Sequence, residues 1–198
     1  MRLWRRVAMK KTLVGGVGYS NLRDLSLGPI LTAQLATMVW PAQVDVDADL
    51  SFGPIAIVQR FQAMPEPYER IVLFGAVSRG RPVARIATYR WRNTLPAGDE
   101  IQARIAEAVT GVVSLDNLLI VGEHFGIWPE ELFVVEVEPA DTGWGPGFSL
   151  EIAGVTGEVI RAVRQAALGK ESGDWNLAIQ SPISNPQTLA ESMYERKP

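Results

Sequence analysis

Thr12-Leu13-Val14-Gly15-Gly16-Val17-Gly18-Tyr19, followed by Arg23-Asp24-Leu25-Ser26-Leu27-Gly28, is the stretch that decides the fold. A short apolar run ended by Gly-x-Gly reads as a buried strand entering a tight turn. Leu27, Leu31, Leu35 and Met38 then recur at helical spacing, which predicts a helix from about Leu25 to Met38 that Pro41 stops. Strand, glycine turn and helix form the first half of a β-α-β unit, and such units build parallel sheets.

The rest of the chain repeats this alternation. Val44 and Val46 alternate with Asp45 and Asp47 as a second strand, and Gly53-Pro54 opens a short helix reaching about Met64, with Pro54 suited to its first turn. Ile71-Val72-Leu73-Phe74 is a fully apolar run suited to a central parallel strand. Val83 to Trp91 alternates as a half-exposed strand. Asp99 to Val109 and Ser114 to Phe125 read as amphipathic helices, the second capped by Ser114 or Asp116. Leu132 to Val137 is a strand, and Ser149 to Leu168 a long closing helix with Ile152, Val155, Val159, Ile160 and Val163 on its inner side. The division expected is a leader over 1–10, a domain over 11–168 and a C-terminal extension over 169–198. In the extension, Trp175, Leu177 and Ile179 are too apolar for a purely solvated tail, which suits surface docking or a homo-oligomer contact.

Composition narrows the chemistry. The 198 residues are 47% apolar and 21% charged, ordinary globular usage. A net charge of −3 gives no electrostatic case for nucleic acid or an anionic membrane surface. There is no cysteine, which excludes disulfides, thiolate metal sites and cysteine nucleophiles. No apolar run approaches the ~20 residues of a membrane span. The basic start Met1-Arg2-Leu3-Trp4-Arg5-Arg6 is not followed by an unbroken apolar region, since Lys10 and Lys11 interrupt it. The cytoplasm is the expected compartment.

Several groups invite chemical readings. Gly16-Val17-Gly18 after a strand could cradle a phosphate, but Asn21 stands where a dinucleotide fingerprint needs its third glycine, so a plain tight turn is expected. His124 is the only histidine; a metal site around it would draw on Glu123, Asp116, Asp47 or Asp49, and the alternative is a capping or packing residue. No Gly-x-Ser-x-Gly elbow supplies a nucleophile for a serine triad. Asp45, Asp47 and Asp49 share one strand face, as a cation site or a solvated strand end. The segment from Glu136 to Ser149 leaves a strand, makes a glycine-rich loop and enters a helix, and it carries Trp144 and Phe148, which either meet a partner or fold back on the core.

Taken in order, these pieces resemble the hydrogenase maturation endopeptidases, which trim the C-terminus of nickel-iron hydrogenase large subunits. The family's first motif is matched by Gly16-Val17-Gly18-Tyr19, then Asp24, Leu25 and Gly28, with Tyr19 in place of an asparagine and Leu25 in place of an acidic metal ligand. The second ligand, an aspartate ending a strand, falls on Gly75, and the third, a histidine, on Asp116. The closing motif is matched by Val134 to Pro139 and Phe148-Ser149-Leu150-Glu151. The resemblance covers about residues 11–168. It implies an α/β fold: a three-layer sandwich with a mostly parallel, phosphorylase/hydrolase-like sheet and helices on both faces. Its metal is one already seated in the substrate, read by two carboxylates and a histidine.

Leu25 and Gly75 carry no donor atom, so one carboxylate remains at three ligand positions, too few to hold a transition metal against water. The expectation is a degenerate, non-catalytic member, a pseudoenzyme without catalytic residues, metal or cofactor. It would bind a hydrogenase large subunit or an assembly factor as a chaperone. The cleft candidates are Tyr19, Asp24, Leu25, Gly75, Asp116, Trp144 and Phe148. The alternatives are a nickel-dependent endopeptidase with a site rearranged around Asp24, Asp116 and Glu123 or His124, and a small-molecule binder on the same fold.

Overall fold

The computed structural model describes residues 10–92 and 95–169. The elements in chain order are β1 (Thr12–Gly16), a 3₁₀ turn (Arg23–Ser26), α1 (Leu27–Ala36), β2 (Val44–Asp47), a second 3₁₀ turn (Ala48–Ser51), α2 (Pro54–Gln62) and β3 (Arg70–Ala76). There follow β4 (Ile86–Arg90), α3 (Gly98–Val109), α4 (Leu115–His124), β5 (Glu131–Val137) and α5 (Leu150–Ala167). The strands form one sheet in the order β2-β1-β3-β5-β4. β2, β1, β3 and β5 are mutually parallel, and β4 lies antiparallel along the outer edge of β5. The architecture is the α/β sandwich expected, with β3 central.

Alternation along the strands feeds two cores. Val14, Val72, Phe74, Val135 and Val137 pack on one face under Leu27, Leu31 and Leu35 of α1 and Ile152, Val159 and Val163 of α5. Leu13, Ile71, Leu73, Leu132 and Val134 pack on the other, under Ile57 and Phe61 of α2 and Leu115, Leu118 and Leu119 of α4. α3 stands outside this second layer, packed on α4 and α2. The α4 cap is Ser114, whose side chain accepts from the Asn117 N–H at 3.1 Å; Asp116 is left free for other contacts. Lys10, assigned by sequence to the leader, belongs to the domain, because its ammonium pairs with Glu131 at the start of β5. The remaining leader residues and the extension from 170 to 198, with the docking expected of Trp175, Leu177 and Ile179, lie outside the described residues.

The glycines of the opening stretch are explained by backbone contact. A Cβ on Gly28 would sit 2.3 Å from the Val17 carbonyl oxygen, and one on Gly16 would sit 2.2 Å from the Gly28 carbonyl oxygen. α1 therefore crosses the end of β1 backbone against backbone. The Thr32 hydroxyl ties the crossing, accepting from Gly16 N–H at 2.9 Å and donating to Gly28 C=O at 2.8 Å. Val17 N–H donates to Phe74 C=O and Tyr19 N–H to Leu25 C=O. These amides serve the fold, so the turn is the plain tight turn and not a phosphate cradle.

Candidate functional site

The chain leaves β3 at Ala76 and must cross the carboxyl end of β5 to begin β4 on its far side. The crossing segment is held to β5 by Val77 N–H donating to Val137 C=O, and by Glu138 N–H donating to Arg85 C=O. It carries Ser78-Arg79-Gly80-Arg81 directly over Glu136 and Glu138. In the β3–β5 register Glu136 lies beside Gly75. It shares its face with Leu132 and Val134, the face that α4 covers with Asp116 at its first turn.

Glu136 is fully buried. Burial of an unpaired carboxylate is costly, and this one is matched by four donated hydrogen bonds. Arg79 Nη2 donates to Oε1 at 2.6 Å and Arg79 Nε to Oε2 at 3.4 Å. Arg81 Nη2 donates to Oε2 at 2.6 Å, and the Tyr89 hydroxyl to Oε1 at 2.7 Å. Arg79 also forks onto Asp116, with Nη1 to Oδ2 at 2.9 Å and Nη2 to Oδ1 at 2.5 Å, the bidentate geometry guanidinium favours. Glu138 accepts from the backbone N–H groups of Arg79 and Gly80 and from Arg81 Nε. Three carboxylates, two guanidiniums and a phenol thus close the carboxyl edge of the sheet.

The ionisation of the cluster follows. Burial alone would raise the Glu136 pKa, but the hydrogen bonds and charge of Arg79, with the Tyr89 and Arg81 bonds, hold it below the ordinary glutamate value. Burial works against the Arg79 charge, yet its bond to Glu136 and the charge of Asp116 raise its pKa. Burial, then the Glu136 charge, pushes the Tyr89 phenol up, so it stays a donor. Glu136 and Arg79 are thus held as an ion pair, with Tyr89 as a neutral donor beside them.

The sequence candidates divide. Gly75 and Asp116 come together: a Cβ built on Gly75 would meet Leu115 Cδ2 at 3.8 Å, next to Asp116. The turn bearing Leu25 packs against β3 at the same edge. Tyr19 reaches this side, where its hydroxyl accepts from Val113 N–H at 3.1 Å and burial raises its pKa. Phe148 does not join them, since it packs into the core under α1 and α5 on the opposite face. Trp144 is 80% exposed and stands in solvent.

Asp24 is not a cleft residue. It is fully buried, and its carboxylate accepts from the Ala140, Asp141 and Ser149 N–H groups and the Ser149 hydroxyl, all at 2.8–2.9 Å. Ser149 in turn caps α5 by accepting from Ile152 N–H. The glycine-rich loop is latched to the opening stretch a second time by the Leu22–Gly145 bridge and by Arg23 N–H donating to Gly145 C=O.

The residues proposed for a rearranged site are kept apart. Glu123 and His124 end α4, seven and eight residues beyond Asp116, about 10–12 Å along the helix at 1.5 Å per residue. Glu123 accepts from Trp91 Nε1, and His124 is exposed, edge-on to Phe125. Asp45 accepts from the Tyr68 hydroxyl and Asp47 pairs with Arg60, so these two are engaged on their own strand end. Among the described residues no group of three potential ligands is arranged to hold a metal ion.

Sequence reasoning missed Arg79, Arg81, Tyr89 and the part played by Glu136. The signal was present. A glutamate inside the apolar run Val134-Val135-Glu136-Val137 demands a buried cation, and Arg79-Gly80-Arg81 was the nearest unassigned pair of cations.

The backbone superposes on the hydrogenase 2 maturation peptidase of a Thaumarchaeota archaeon with a TM-score of 0.55 at 22% identity, over 82% of this chain and 100% of that one. The chain has the fold of the hydrogenase maturation peptidases. An endopeptidase from Escherichia coli gives a TM-score of 0.56 at 17% identity, over 79% of this chain and 91% of that one. The hydrogenase maturating endopeptidase HybD, also from Escherichia coli, gives 0.54 at 15% identity, over 78% and 90%. No family model and no curated protein sequence matches the chain.

The metal-reading site that the resemblance implies does not fit these residues. Leu25 and Gly75 offer no donor, and both oxygens of Asp116 are taken by Arg79. Nor is there room at Gly75 for a ligand side chain, because its Cβ would lie 2.7 Å from the Val17 carbonyl oxygen.

Proposed function

We propose that this chain is a non-catalytic counterpart of the hydrogenase maturation peptidases, a cytoplasmic protein that binds a hydrogenase large subunit or an assembly factor during nickel-iron hydrogenase maturation. The observation that carries the reading is the capping of Asp116 by Arg79: the one carboxylate left at the three ligand positions is already neutralised by the chain itself. A site of this kind supplies neither a nickel-reading ligand set nor a base. Binding is favoured by two exposed apolar residues elsewhere on the domain. Trp144, 80% exposed, and Leu150, 90% exposed, lie in and just after a loop that the Asp24 and Gly145 contacts hold rigid, and a rigid exposed aromatic is a low-entropy anchor for a partner. Among the described residues no helix is long and apolar enough to cross a membrane.

The test is incubation of the purified chain with a nickel-loaded large-subunit precursor that still carries its C-terminal extension. The expected result is a stable complex with the precursor uncut, weakened roughly tenfold or more by Trp144→Ala. A trimmed product would restore the rearranged endopeptidase. Absence of a complex with the precursor and with hydrogenase assembly factors alike would overturn the partner reading and leave the small-molecule alternative.

A further inference from the structure

We propose that Arg79 is a tethered cation: its guanidinium supplies, from within the chain, the charge and bridging geometry a divalent metal ion would supply, and it thereby closes this edge of the sheet to metals. The inference deepens the non-catalytic reading and rests on it, but its test uses cations alone, so failure of partner binding and failure of cation exclusion are separate results.

The geometry is specific to one atom. Arg79 Nη2 lies 2.5 Å from Asp116 Oδ1 and 2.6 Å from Glu136 Oε1. Two carboxylate oxygens from two different elements, α4 and β5, therefore converge on a single point. One positively charged nitrogen is thus bridged by two carboxylates, the arrangement in which oxygen ligands hold a divalent cation. The acceptors of the other half of the cluster are held without Arg79's side chain, although Arg81 Nη1 is itself buried without a partner. Arg81 holds Glu136 Oε2, and Glu138 is satisfied by Arg81 together with the two backbone amides. Tyr89 donates to Glu136 Oε1 and keeps that oxygen oriented. Removing the Arg79 side chain would leave Asp116 and Glu136 facing each other across a gap of one positive charge. Two carboxylates left so close either share a proton or recruit a cation.

The origin of the device lies in the β3–β4 crossover. A segment that must pass over the end of β5 can place a long side chain between β5 and α4, where the guanidinium's weak hydration and fixed fork suit burial between two acids. A lysine could reach the same point but offers no second fork for Asp116 Oδ2.

The experiment measures thermal unfolding of the full chain with and without millimolar calcium or manganese, alongside calorimetric titration. The wild-type protein is expected to show no heat of binding and no shift in Tm with either cation. Arg79→Ala is expected to gain both, with Tm rising about 4 °C once the cation is at tenfold its Kd. Asp116→Asn added to Arg79→Ala should abolish the gain. Arg79→Lys, which keeps a charge at the site, should behave as wild type. Should Arg79→Ala not fold by itself, recovery of its fold by calcium or manganese is the expected result. Cation binding by the wild type, a gain in Arg79→Lys equal to that in Arg79→Ala, or an Arg79→Ala protein that neither binds nor is rescued by cations would each overturn the proposal.

Discussion

Asp24 sits at a family-like motif position yet is buried under four donors, and replacing it separates a structural role from a functional one. Its Oδ2 accepts from Ala140 N–H, Asp141 N–H and the Ser149 hydroxyl, while Oδ1 accepts from Ser149 N–H. In Asp24→Asn the amide oxygen would take the three-donor side, and the amide nitrogen would then face Ser149 N–H, donor against donor. One charge-assisted bond is lost outright and three become neutral, and bonds to charged groups are worth ~1.5–3 kcal/mol against about 1 for neutral pairs. Ala140 and Asp141 border solvent and recover part of this through water. The net expectation is a loss of about 3 kcal/mol, and about 4 for Asp24→Ala, out of the ~5–15 kcal/mol typical of a domain. Urea unfolding followed by circular dichroism gives the difference, provided the slope of stability against urea is unchanged. A carboxylate kept for chemistry or ligand binding behaves oppositely, since its removal is commonly neutral or stabilising. An Asp24→Asn protein within about 0.5 kcal/mol of wild type would refute the latch, and with it the reading of Asp24 as structure.

Two further outcomes follow from the same contacts. Gly28→Ala should destabilise by about 2 kcal/mol, because the new methyl meets the Val17 carbonyl, whereas Gly154→Ala, with nothing within 4 Å of its Cβ in exposed α5, should stabilise by ~0.5–1; urea unfolding of the pair reads both signs. The pH profile of stability should fall at both extremes. The lowered pKa values of Glu136 and Glu131 contribute stability that is complete above the ordinary glutamate value near 4.3 and lost as pH falls through the folded values, while Tyr68, pushed up to about 12 by partial burial and then by its bond to Asp45, contributes stability lost as pH rises from about 10. Glu136→Gln should flatten the acid limb relative to wild type in the same denaturation series.

The sheet was legible because its strands are unusually pure. Leu13-Val14 and Ile71-Val72-Leu73-Phe74 carry no polar residue, so their burial on both faces follows directly from composition. The antiparallel setting of β4 was not legible, because alternation from Val83 to Trp91 reports a half-exposed strand in either direction. The site was legible only by subtraction: Leu25 and Gly75 announced missing donors, but nothing local announced what replaced them. Arg79 meets Asp116 across 37 residues and Glu136 across 57, and pairings at that separation leave no periodic trace in a single sequence. His124 and the aspartates of β2 drew attention by residue type alone, and the structure disperses them.

The motif positions divide by physical role. Gly16, Gly28, Asp24 and Ser149 are fixed by backbone proximity or by hydrogen bonds to backbone. Any substitution there acts on the whole α1–β1–α5 assembly, so these positions are constrained whether or not the protein reacts with anything. Gly75 shares this constraint, since its Cβ would lie 2.7 Å from the Val17 carbonyl oxygen, whereas the side chains of Leu25 and Asp116 answer to what they touch at the sheet edge. There the physical requirement is only that buried charge be balanced. Glu136 could meet it with a metal ion or with a guanidinium, and a guanidinium is present in every folded molecule while a metal must be captured. With Arg79 between Asp116 and Glu136 the requirement is met internally, and Gly75 lies close against the Val17 carbonyl in the space beside them.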